Sequence, residues 1–405
     1  MLHALVDDVD DFLATRWERD FTLTHGGTAR AARFAALLSA DDLVELVATR
    51  GLRHPFFRLI RAGDSPERSS YLRSAGVGHT TVHDLGDLGR ITAEVWDGAS
   101  LVGQGLQRLW PPLTGYCEAL AGELGHRVQA NAYLSPPESH GFDLHYDTHD
   151  VFVLQVEGHK EWTVHAPADL LPHRRPPKAD QGTGPAHGDP VWTGVLVPGD
   201  CLYLPRGFGH SARTSDERSL HLTIGILVTT WRTVLRALAD LLPEDDIELR
   251  RALPLGAVTG DDEAFRAAWL AFGDHLAAAV RDVDPEVVLA RLRTDLWSAH
   301  PHPDASVLSR AFAAELPAAD DGVALRPGVV EAHHVDTDTA EVRLVLRDRS
   351  VSMPTAAAPL LLALLDDAVV CAADQPGGLD EASALVVIRR LYREGIVNLV
   401  GPDAP

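Results

Sequence analysis

Between Arg127 and Leu227 the sequence breaks into short apolar runs: Val128–Leu134, Val151–Val156, Lys160–His165, Gly194–Val197, Cys201–Leu204 and Leu220–Val228. Ser-Pro-Pro, Glu-Gly-His, Pro-Gly-Asp and Arg-Gly-Phe-Gly separate them, and each carries a turn signal through its Pro or Gly. Many short strands with no helix between them point to a sandwich or small barrel, in which the strands bury their apolar faces against one another.

The flanks read differently. From Val6 to about Arg50 apolar residues such as Phe34, Leu37, Leu38, Leu43 and Leu46 recur at helical spacing, and Ser39 followed by Asp41 and Asp42 forms an N-cap. Residues 54–90 are short extended segments, and a helix over Pro112–Leu124 leads into the strand region. After Thr230, helices are expected over Trp231–Leu242, Asp261–Arg281 and Pro285–Leu296, then a linker from Pro317 to Arg326. The last ninety residues carry a strand at Glu341–Leu346, helices at Pro359–Ala368 and Asp380–Glu394, and a terminal strand at Ile396–Val400, an order similar to a winged helix. A chain of 405 residues accommodates two to four domains. The expected division is 1–230, 231–315 and 316–405.

Charge excludes some partners. Asp and Glu number 58 against 36 Lys and Arg, a formal charge of −22. Nucleic-acid binding rests on neutralising phosphates with basic side chains, so a direct nucleic-acid role is not expected, whereas a basic protein would be attracted. The segment 316–405 holds 14 acidic residues and 7 arginines, which argues against a DNA-reading winged helix. Cys117, Cys201 and Cys371 lie far apart without a CxxC pair, which rules out a cysteine zinc site and argues against a disulfide framework. The N-terminal residues are acidic rather than signal-like, and the apolar run Ala356–Leu365 is short of the ~20 residues a membrane span needs. A cytoplasmic protein with no membrane association is expected. Only two of the 36 basic residues, Lys160 and Lys178, are lysine, which makes each position informative.

The chemistry concentrates in Gly141-Phe-Asp-Leu-His-Tyr-Asp-Thr-His-Asp150. On an extended chain residues two apart share a side, so His145 and Asp147 can both reach one metal ion. A histidine from a later strand would complete two histidines and a carboxylate, the set that leaves open positions in non-haem Fe(II) oxygenases. His210, after the Pro-Gly-Asp turn and Leu-Pro-Arg-Gly-Phe-Gly, is the best candidate. An HxD is common by chance in a chain with 20 histidines, and His140, His149, His159, His165, His173 and His187 compete, so spacing alone leaves the site open.

The block Val128 to His165, with Trp17-Glu18, Pro-Gly-Asp, Leu-Pro-Arg-Gly-Phe-Gly-His and Ser219-Leu-His-Leu-Thr, closely resembles the JmjC-type cupin ribosomal oxygenases, over about residues 10–230. That resemblance implies an α+β chain with a double-stranded β-helix (jelly-roll, cupin/JmjC) core, a helical dimerisation region and a C-terminal winged-helix-like domain. It implies an Fe(II)- and 2-oxoglutarate-dependent dioxygenase that uses O₂ to hydroxylate a side chain of a protein, with a ribosomal protein (His or Arg) as the family's substrate, and a homodimer. By position His145, Asp147 and His210 match the iron ligands, and Lys160 the residue that pairs with the distal carboxylate of 2-oxoglutarate. Asn131, Tyr133 and Thr223 match or border the cosubstrate pocket, while Gly225 stands where the family usually has a small hydroxyl residue. Trp162 and Trp192 read as core. The rivals are the same chemistry on a precursor peptide or small molecule, a cupin sensor and transcriptional regulator, and a non-oxygenase cupin such as a sugar isomerase, which Lys160 and the HxD oppose.

Overall fold

The computed structural model describes all residues except 168, 174–187, 243–245, 260–261, 299–304, 327, 337–339, 348 and 401–405. Lys178 and His187 therefore lie outside the described residues. Two compact units emerge, Met1–Thr229 and Thr230–Pro405.

The first unit contains twelve described strands: β1 (Thr22–Thr24), β2 (Phe57–Ile60), β3 (Leu72–Val77), β4 (Thr80–Gly86), β5 (Ser100–Gly103), β6 (Arg127–Ser135), β7 (Asp150–Glu157), β8 (Lys160–His165), β9 (Pro190–Leu196), β10 (Cys201–Leu204), β11 (Gly209–Arg213) and β12 (Ser219–Leu227). Seven form one sheet in the order β1-β10-β7-β12-β6-β5-β2, and β11-β8-β9 form a second. β3 and β4 pair as a separate hairpin. Every strand pairing is antiparallel, as two-layer jelly rolls require. Between the layers Val151, Val153, Trp162, Val164, Leu196, Leu202, Leu204 and Phe208 form a buried apolar cluster.

Five of the six expected strands lie within a residue of their observed bounds; β9 begins earlier, at Pro190. β11 carries little apolar signal, because Gly209-His-Ser-Ala-Arg is polar, and it is a strand through pairing with β8. β1, β2 and β5 extend the large sheet from a region that reads as helices and broken segments, and Leu88–Trp96 is a further helix. Ser39 caps the helix Ala40–Ala48 through a reciprocal capping box with Asp42. The helix Pro111–Leu124 ends at Gly125, whose φ of 67° suits a left-handed C-cap.

The second unit opens with helices Trp231–Leu241, Ile247–Arg250, Asp262–Asp282, Pro285–Ser298 and Ala305–Ala313. β13 (Val323–Leu325) lies inside the expected linker, since it pairs with β17 (Val397–Leu399) from the chain's end. β14 (Val330–Asp336), β15 (Glu341–Leu346) and β16 (Ser350–Pro354) make a three-stranded sheet. With helices Ala358–Leu365 and Glu381–Arg393 these strands enclose a core that includes Val342, Leu344, Leu361, Ile388 and Leu391. Among the described residues no helix is long and apolar enough to cross a membrane.

Candidate functional site

The alternation of β8 decides which of its side chains face inward. Lys160, Trp162 and Val164 are buried while Glu161, Thr163 and His165 are partly exposed, a period of two. On the opposing sheet β12 pairs with β6 so that His221 lies against Tyr133 and Thr223 against Asn131. The pocket between the layers is lined by Tyr133, Ser135, Lys160, Trp162, His221 and Thr223, with His145, Asp147 and His210 also on its wall.

Backbone contacts stitch the two histidine-bearing segments together. His210 N–H donates to His145 O at 2.7 Å and His145 N–H to His210 O at 3.2 Å, while Gly207 N–H donates to Asp147 O at 3.0 Å. The loop before His210 is held by Arg206, whose guanidinium meets buried Asp150 at 3.0 Å and Glu18 at 2.6 Å. Burial, only partly offset by Arg206, raises the Asp150 carboxyl to about 6. The Glu18 and Arg206 of the sequence motifs are therefore struts for the site.

One ligand atom from each of His145, Asp147 and His210 lies within 4.8 Å of the others, the single such cluster among the described residues. Both imidazoles are set for coordination. His145 Nδ1 is 2.8 Å from Asp143 O and His210 Nδ1 is 3.1 Å from Phe208 O. Each contact fixes the Nδ1–H tautomer and leaves Nε2 as the lone-pair donor, as metal-binding histidines require. Burial first, then the neighbouring His145, pushes His210 down to about 4, so it is neutral at pH 7. The donor set thus fits a divalent iron with open positions.

Deeper in the pocket lies Lys160, 3% exposed. Its Nζ donates to Ser135 Oγ at 2.9 Å, and Ser135 Oγ also accepts from Ser100 Oγ at 2.7 Å. Burial lowers Lys160 to about 7, and among the described residues no carboxylate is paired with its ammonium.

The competing histidines are placed elsewhere. His140 pairs with Asp143 at 3.2 Å, His159 with Glu217, and His165 with Gly188 O, while His173 is exposed. Asn131 is not among the residues lining the pocket, and its side-chain oxygen accepts from Gly105 N–H at 3.0 Å. The space at Gly225 is taken by His149, since a Cβ there would stand 2.7 Å from that imidazole. Trp192 packs beside Phe21 as a core residue. Trp162 belongs to the same apolar cluster but also faces the pocket. Sequence reasoning assigned no role to Ser135 or His221 and read Trp162 as core alone; the signal for a pocket position is the two-residue alternation with Tyr133, Lys160 and Thr223.

Known proteins share both sequence and fold with this chain. Residues 113–234 match the JmjC domain family. The chain is 42% identical over 134 residues to the bifunctional lysine-specific demethylase and histidyl-hydroxylase NO66 of Drosophila pseudoobscura pseudoobscura, covering 32% of this chain and 14% of that protein. It is 40% identical over 148 residues to human ribosomal oxygenase 1, covering 34% and 23%. Against ribosomal oxygenase 1 of Gallus gallus it is 30% identical over 302 residues, covering 68% and 46%. The chain thus spans less than half the length of these curated relatives. Escherichia coli YcfD is similar in fold, with a TM-score of 0.50 at 17% identity over 97% of this chain and 98% of that one.

Proposed function

We propose that this chain, a member of the JmjC ribosomal-oxygenase family, is an Fe(II)- and 2-oxoglutarate-dependent dioxygenase that hydroxylates a side chain of a basic protein, a ribosomal protein being the favoured substrate. The observation that carries this reading is the His145, Asp147 and His210 cluster on the wall of the same pocket that buries Lys160.

His145, Asp147 and His210 would hold the iron, with Asp143 O and Phe208 O orienting the two imidazoles. Fe(II), when bound, couples reduction of O₂ to decarboxylation of 2-oxoglutarate and oxidation of a substrate C–H bond. Lys160 takes the distal carboxylate as a charge-assisted pair, held in place by Ser135. Tyr133 and Thr223 border the cosubstrate, while Asn131, outside the pocket, accepts from Gly105 N–H in the loop after β5. Val151, Val153 and Trp162 exclude water from the reacting centre.

The substrate assignment rests on the family and on charge: a chain of −22 attracts a basic protein. The 231–315 helices are read as a homodimerisation region, supported by exposed Trp269, Leu270 and Phe312, and 316–405 as a winged-helix-like domain that docks rather than reads DNA. A cytoplasmic location suits a ribosomal substrate.

Purified protein with Fe(II) should convert 2-oxoglutarate to succinate, and Asp147→Ala should abolish that turnover. Full activity in the variant would refute the ligand assignment. Intact-mass comparison of ribosomal proteins with and without this gene should reveal a gain of one oxygen atom; an added oxygen found only on a peptide or small molecule would redirect the substrate.

A further inference from the structure

Two side chains that line the pocket each carry a ring nitrogen buried without a hydrogen-bond partner among the described residues: Trp162 Nε1 and His221 Nδ1. The residues are 5% and 4% exposed, and neither belongs to the metal cluster. Native proteins rarely tolerate such atoms, because each has given up water for nothing in return. The His221 ring stacks on Tyr133, centroids 4.8 Å apart at 4°, and meets Trp162 edge-on at 5.3 Å and 80°. Both rings are therefore fixed by packing. Lys160, two residues before Trp162 on the inward face of β8, presents ammonium hydrogens beyond the one given to Ser135. An indole nitrogen can only donate, and an imidazole can present Nδ1–H when an acceptor selects that form. Lys160, Trp162 and His221 thus line one pocket, and among the described residues neither ring nitrogen has an acceptor and Lys160 has only the Ser135 hydroxyl.

We infer that His221 and Trp162 complete, with Lys160, the binding end for the distal carboxylate of the 2-oxo acid, His221 Nδ1–H and Trp162 Nε1–H donating to its oxygens. This rests on the reading given under Proposed function and adds two specificity-determining residues to it. Two neutral donors set beside one cation favour a cosubstrate that carries a second carboxylate over a 2-oxo acid ending in a methyl group.

The test is calorimetric binding of 2-oxoglutarate with Mn(II) in place of iron. His221→Phe keeps the stack on Tyr133 and removes the nitrogen, and should weaken binding about 10- to 100-fold; Trp162→Phe should weaken it by about tenfold. Mn(II) affinity without 2-oxoglutarate should be unchanged. The melting temperature of His221→Phe should stay level or rise, since that variant deletes an unpartnered buried atom at nearly constant volume, whereas Trp162→Phe also leaves a cavity and should lower it by a few degrees. His221→Asn, which keeps a donor near Nδ1, should recover most of the affinity. Independently of any variant's folding, the Trp162 indole N–H proton in the wild-type Zn(II) form should shift downfield when 2-oxoglutarate is added. Unchanged affinity in both Phe variants, or no movement of that proton, overturns the inference while wild-type binding and its weakening by Lys160→Ala leave the dioxygenase reading intact. Absence of wild-type binding overturns both.

Discussion

Lys160 is the residue whose chemistry is most sharply set by its surroundings. Free in water an ammonium titrates near 10.5, and burial among β8, β6 and β12 brings it to about 7. Since the charged form is the one that pairs with a carboxylate, cosubstrate affinity should be greatest below pH 7 and fall as pH rises through it. At pH 8 most free sites hold neutral lysine, so binding should take up close to one proton. Calorimetry in two buffers of different ionisation heat measures this directly, and Lys160→Met should show no uptake and bind about 10- to 100-fold more weakly. The same depression has the opposite sign for folding. Between about 7 and 10.5 the unfolded chain binds the proton and the folded one does not, so this group's contribution to stability rises with pH across that window.

At the scale of elements, the β7–β8 hairpin places Lys160 in register. Its Gly158 has φ of 61°, and a Cβ there would stand within bonding distance of Arg218 O. Gly158→Ala should cost about 1–3 kcal/mol in denaturant unfolding and weaken 2-oxoglutarate binding by displacing β8. Gly76→Ala in β3, where nothing lies within 4 Å, should stay within about 0.5 kcal/mol. The elements that could be read in advance are those with strong local signals. β7 and β10 are continuous apolar runs, Ser39 and Asp42 form a capping pair, and Glu-Gly-His marks the hairpin. β1, β11 and β13 have no such signal, being short and polar or held in pairings with distant strands. The candidate cluster was legible because the HxD and the Gly-Phe-Gly-His run lie in a block that resembles a known family; the ring contacts of His221 and Trp162 were not, because only the β6–β12 register and the facing sheet bring them together.

For the whole molecule, the acidic excess should appear in kinetics. If the substrate is basic, kcat/KM should fall as salt rises from low to several hundred millimolar, because screening shortens the reach of the field. Light scattering tests the proposed homodimer, and substituting exposed Trp269 and Leu270 with Asp should shift a dimer to monomer. The sequence by itself determined the strand-rich middle and the family resemblance of that block, and through that resemblance it pointed to His145, Asp147 and His210, since turn residues, alternation and motif residues are local properties of the chain. Tertiary structure alone decided that Gly225 yields its space to His149, that Asn131 supports a loop rather than the pocket, and that the Trp162 and His221 ring nitrogens are buried without a partner among the described residues. The reason is physical: such facts depend on which strands meet across the barrel, and pairings between residues far apart in the chain leave no mark in the spacing of either partner.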